Sequence, residues 1–91
     1  MPRPGFDERL RAADAALRTG RARTAEQALR ALSAEAPADL NCQWLLGIAL
    51  LDLGRPADSV AILEAVLRAA PSFANARVDL ARAYRAAGRA G

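Results

Sequence analysis

The chain is poor in groups that make or break bonds. It contains neither His nor Lys. Without His, the usual base for a Ser or Cys nucleophile is missing, and without Lys no Schiff base can form. Cys42 is the only cysteine, so neither an internal disulfide nor a thiolate metal cluster is available. The plain reading of Cys42 is a small side chain near a helix start; the sharper one is a reactive thiol. No glycine-rich phosphate loop and no metal-ligand spacing occurs. The carboxylates are spaced for Arg instead. Asp7–Arg11, Asp14–Arg18, Glu26–Arg30 and Glu64–Arg68 are acid-first pairs four residues apart. Each adds roughly 0.2–0.5 kcal/mol to an exposed helix face. The inventory predicts a protein that is not an enzyme and holds no cofactor or metal.

Helices must position these pairs, and a long period organises the helices. Gly20, Gly54 and Gly88 stand 34 residues apart, and Pro37 and Pro71 keep the same interval. Ala25 falls over Ser59, Leu29 over Leu63, Leu32 over Val66 and Leu10 over Trp44. In the next unit Leu46 falls over Leu80, Gly47 over Ala81, Leu50 over Tyr84 and Asn41 over Asn75. The period cuts the chain at 6–39, 40–73 and 74–91, after a loose lead-in over 1–5. Alanine and leucine dominate and aromatics are 4%, which favours helix over sheet. Helices are predicted at about 6–18, 23–35, 40–53, 57–69 and 73–87. The three glycines suit left-handed positions after helix ends, and Pro56 suits a first turn. Asp39 and Ser72 are the expected N-caps.

The residues resemble the tetratricopeptide repeat, with its 34-residue signature W-x2-L-G-x2-Y, A-x3-F and P. The middle unit carries Leu46-Gly47, Leu50, Ser59, Leu63 and Pro71 in those places. The third gives Leu80-Ala81 and Tyr84; the first gives Ala12-Ala13, Ala16, Ala25, Leu29 and Pro37. One departure stands out. Gln43 holds the Trp place, and Trp44 is one residue later, about 100° around the helix. The resemblance implies an all-α, right-handed α-solenoid of antiparallel helix pairs, about two and a half units and five helices long. It also implies that the first helix of each pair lines a concave groove that binds a protein or peptide.

On that scheme Leu46, Leu50 and Leu53 form one stripe of the middle helix, packed inward. Leu46, Leu50, Leu63 and Leu67 are the expected core. Trp44, Ile48 and Leu51 form a second stripe, which either faces the groove or is core as well. The candidate groove adds Leu10, Asp14 and Leu17 from the first helix, with Asp52 as further acid. From the last helix it adds Val78, Arg82 and Arg85. An apolar floor with acid and base favours an amphipathic helix or extended segment. The family's paired Lys and Asn for a terminal carboxylate are not reproduced, because Leu10, Trp44 and Val78 fill that row. Asn41 and Asn75 could bond a peptide backbone; the alternative is that they cap helices or are solvated.

Residues 74–91 carry Arg77, Arg82, Arg85 and Arg89 against Asp79 alone. The isoelectric point is about 10.4. With a net charge of +3, no basic run and no aromatic ladder, a nucleic-acid partner is not expected. Arg at a helix end also has the plain reading of a solvated side chain against the macrodipole. The apolar run of the middle helix is too short for a membrane span. No signal-like segment follows Met1, so a cytoplasmic location is expected, and the Arg and Ala bias suggests a bacterial source. The last helix lacks a mate, so a homodimer through Leu80 and Tyr84 is expected. The alternative is the N-terminal repeat region of a larger bacterial enzyme, such as a sulfotransferase or other transferase.

Overall fold

The computed structural model describes residues 5–88; residues 1–4 of the lead-in and Arg89 lie outside the described residues. Five helices follow in order: α1 (Phe6–Arg18), α2 (Ala22–Glu35), α3 (Leu40–Asp52), α4 (Pro56–Ala69) and α5 (Ala74–Ala86). Their bounds fall close to those read from the sequence. The reason is local. Gly20, Gly54 and Gly88 have φ of 79°, 76° and 76°, a region that L side chains enter only under strain. At Gly54 the chain turns back so that Arg55 N donates to the Leu50 carbonyl at 2.9 Å. Arg21 N repeats this on Ala16 at 2.8 Å. Asp39 caps α3 by accepting from Cys42 N at 2.8 Å.

Ser72 does not cap α5. The N-cap is Phe73, with no side-chain cap bond. Phe73 N closes a turn on the Ala70 carbonyl at 3.0 Å, which leaves Ser72 one residue too early. Phe73 occupies the place that Asp39 holds one repeat before, so a polar cap is replaced by an apolar side chain. Its ring lies 5.6 Å from that of Trp44, tilted by 49°.

Each helix packs on its neighbours in the chain, α1 on α2, α2 on α3, α3 on α4 and α4 on α5. Beyond that, the α1 backbone approaches α3 and that of α3 approaches α5, whereas α2 and α4 stand further apart, linked at one end by the Arg55–Glu26 ion pair. The stack therefore closes on the α1–α3–α5 side and opens on the other. Its dimensions, 41 × 27 × 18 Å, are those of helix pairs stacked along one axis.

The core runs through the middle of the stack. Leu29, Leu32, Leu50, Leu63, Val60 and Val66 are the largest fully buried side chains. Leu46 is buried as expected, but Leu67 is only half-buried, on a cavity that it lines with Leu80 and Tyr84 of α5. Leu53, at the end of its stripe, is also half-buried beside the Gly54 turn. At Gly47 α3 leaves room for a side chain of α4. A Cβ there would lie 2.8 Å from Leu63 Cγ and Cδ2. Ser59 fixes the contact by donating its hydroxyl to the Gly47 carbonyl at 2.7 Å. Gln43, in the Trp place of the signature, bonds Ser33 on α2. It joins the two units by a hydrogen bond where the signature uses a ring.

Cys42 is fully buried and its thiol donates to the Leu29 carbonyl at 3.5 Å. Burial, with the Asp39 charge as a smaller cause, pushes the thiol up from 9.0 to about 11. A thiol kept protonated and out of solvent is a weak nucleophile. The folded state holds this proton more tightly than the unfolded state. The stabilising contribution is therefore complete below pH 9.0 and lost as pH rises to about 11. Denaturation midpoints should fall across that window more steeply for the parent than for Cys42→Ala. Parallel curves would show that the thiol does not titrate with folding.

Candidate functional site on the inner face

The candidate residues form a grid set by the repeat. Leu10, Trp44 and Val78 share one repeat place on α1, α3 and α5. Asp14, Ile48 and Arg82 share the next, and Leu17, Leu51 and Arg85 the third. Asn41 and Asn75 share a place near the helix starts. Because α1 touches α3 and α3 touches α5, these rows run across adjoining helices. The columns differ in chemistry. That of α1 alternates Leu and Asp, that of α3 is wholly apolar, and that of α5 passes from Val to Arg.

Burial grades across the grid. Leu10, Leu17, Trp44 and Ile48 are half-buried against the first core cluster, and Leu51 against the second. Val78 is 62% exposed, the strongly exposed large apolar side chain among the described residues. Asn41, Asn75, Asp52 and Arg85 are exposed. Capping falls to neither asparagine, since Asp39 caps α3 and α5 has no side-chain cap.

The charges are largely internal. Asp14 pairs with Arg18 at 2.8 Å, and Glu26 with Arg30 at 2.9 Å. Arg82, read from the sequence as base facing the groove, is bound to Asp79 at 2.7 Å. Arg85 is exposed near the end of α5. Glu64 does not join Arg68; it accepts the hydroxyl of Tyr84.

Asp79 is the neighbour of the candidate residues that sequence reasoning missed. Only 8% exposed, its carboxylate accepts from Trp44 Nε1 at 2.7 Å as well as from Arg82. Trp44 is thus bound to α5 by its indole N–H and packs on Phe73 at the start of that helix. One signal was available. Asp79 stands at the repeat place of Leu45, which is buried, and an acid at a buried place requires donors.

A cavity of about 570 Å³ lies on the open side, between the α2–α3 turn and α4. Pro37, Leu40, Gln43, Ile62, Ala65 and Ala69 are among its lining residues, and no ionisable group stands there. Among the described residues no group of three His, Cys, Asp or Glu side chains is placed to hold a metal ion. None of the helices there is long and apolar enough to cross a membrane.

Fold and faces together define a helical-repeat protein, in which stacked pairs present extended surfaces. The family model described as tetratricopeptide repeat matches residues 10–72 and again 45–91. The chain belongs to the tetratricopeptide-repeat family. The overlap 45–72 is matched in both registers, as expected when a unit can serve as the second of one pair or the first of the next. Comparison with curated proteins and with solved structures gives no match. Repeats of this family generally mediate protein–protein interaction and are typically non-catalytic scaffolds.

Proposed function

We propose that the chain is an interaction module whose α1–α3–α5 side binds an amphipathic helix or extended segment of a partner protein. The observation that carries this is Val78, left 62% exposed in the same row as Leu10 and Trp44. An apolar row open at one end offers burial to a partner's side chain. Ile48 and Leu51 extend that floor, and the exposed Asn41 and Asn75 offer amide groups to a partner's backbone. Asp14 and Arg82 are neutralised within the chain, which leaves the exposed Asp52 and Arg85 to set the polarity. The segment carries an acidic residue toward α5. A bare terminal carboxylate fits less well, since an apolar row occupies the place where it would be held. Self-association through Leu80 and Tyr84 would use a different side of α5.

The test is the affinity of a partner retained on the immobilised chain. Val78→Glu should weaken it by about tenfold or more, since a charge there meets a desolvated apolar contact. Val78 is exposed, so the fold is unaffected. Ala61→Glu, exposed on α4, should leave binding unchanged. The reverse pattern would place the partner on the open α2–α4 side.

A further inference from the structure

The repeat register offers a comparison at one buried place. Leu45 on α3 is 5% exposed, and its equivalent on α5, Asp79, is 8% exposed. The fold thus accepts an apolar side chain there. An acid in that place brings a desolvation cost, and its donors offset that cost rather than add stability. What the acid adds is direction. One carboxylate oxygen accepts from Trp44 Nε1 at 2.7 Å and the other from Arg82 at 2.7 Å. We infer that Asp79 determines what the inner face recognises. By fixing the Trp44 ring and cancelling the Arg82 charge, it reserves the α3–α5 part of that face for an uncharged, apolar side chain of the partner. The inference rests on the inner-face reading and adds where along that face charge is accepted.

The ring is held from several sides. Its indole N–H donates to Asp79, Phe73 lies 5.6 Å away at a tilt of 49°, and its body packs against both core clusters. The indole N–H is the one polar group of the side chain and donates only. With that donor bound inside the chain, the ring offers a partner apolar surface and no hydrogen bond. Arg82 is exposed on α5, in the row of Asp14 and Ile48 and one turn beyond Val78. A free guanidinium there would draw a partner's carboxylate toward Trp44. The ion pair with Asp79, three residues earlier on the same helix, takes up that charge. Exposed charge stands instead at the far end of the face, with Asp52 on α3 and Arg85 on α5. Arg85 is seven residues past Val78, about 10 Å along the helix. The matching segment therefore sets an apolar side chain over Trp44 and Val78 and its acid about two turns further along α5.

Collisional quenching of Trp44, the only tryptophan, reads this charge without a partner. Acrylamide is neutral and measures access to the ring. Iodide measures the same access weighted by the local charge. The quantity read is the ratio of the iodide to the acrylamide quenching constant at low ionic strength. Asp79→Asn keeps an acceptor for the indole and uncovers the Arg82 charge. The ratio should rise by about 1.5-fold or more, with the acrylamide constant unchanged. Arg82→Gln leaves the carboxylate uncompensated and should lower the ratio by about the same factor. In the double variant the two changes should cancel and return the parent's ratio. Asp79→Leu, which copies the preceding unit, should raise acrylamide quenching as well, because the ring loses its acceptor. Arg82 is exposed, so Arg82→Gln decides the matter even where the Asp79 variants fail to fold. A ratio that ignores Arg82→Gln places the guanidinium away from the ring and overturns the inference. So does a double variant that departs from the parent, because the pair then does not cancel. Acrylamide quenching as high in Asp79→Asn as in Asp79→Leu overturns it too, because the acceptor then does not fix the ring. All of these readings are made on the free chain. A partner that binds elsewhere would defeat the inner-face reading and leave them unchanged, so the two failures are told apart.

Discussion

Leu63→Ala should lower the folding stability of the chain by about 2–5 kcal/mol. Leu63 is fully buried and lies over Gly47 of α3. Its loss removes the side chain from a site where helix backbones limit collapse. A small domain has roughly 5–15 kcal/mol in total, so the variant sits near the edge of folding. Gly47→Ala tests the same contact from the other side. The new methyl gains up to about 1 kcal/mol of helix propensity. It must also displace Leu63 Cγ from 2.8 Å, and overpacking of this kind costs about 1–3 kcal/mol. Combined with Leu63→Ala the methyl meets no such obstacle, so the double change should be milder than the sum of the two. Strict additivity in urea denaturation would show that the two residues do not touch. A Leu63→Ala cost under about half a kcal/mol would show that α4 turns a different face to α3.

Trp44→Ala should destabilise the chain by about 3 kcal/mol, at the low end for a large aromatic because the ring is only half-buried. The change removes the ring contact with Phe73 and the indole bond to Asp79. It leaves a nearly buried carboxylate with Arg82 as its remaining side-chain donor. Trp44→Phe separates the parts. It keeps a ring and deletes the donor, and should cost about 1–3 kcal/mol. The damage should be local. Amide exchange should quicken most in α5, which Trp44 joins to α3, and least in α1 and α2. If Trp44→Phe matches the parent, the bond to Asp79 contributes nothing. Because Trp44 belongs to both fold and candidate site, its variants read binding only alongside a stability measurement. Val78 carries no such double duty.

The helices and their ends were legible in the sequence because their causes are short-range. Glycine φ, proline position and the Asp39 cap each act within a turn. The 34-residue phase then placed Leu46, Leu50 and Leu63 in the core. What escaped were contacts between units that depart from the repeat. Asp79 and Trp44 are 35 residues apart, one more than the period, so aligning the units hides their meeting. Phe73 standing in a cap place is likewise invisible until the ring beneath it is seen. Charge was misjudged for a related reason. Arg82 counted as open base until Asp79, three residues earlier on the same helix, was found to hold it. Leu67 was expected in the core on its pattern, but pattern does not tell how completely α5 covers it.

Trp44 is the only tryptophan, so its emission reports on the inner face without a label. The direct measurement is that emission during titration with a partner whose binding has been established by calorimetry. The inner-face account predicts a shift that saturates with the calorimetric stoichiometry and is lost in Val78→Glu. Unchanged emission at saturation, together with full affinity in Val78→Glu, would contradict it.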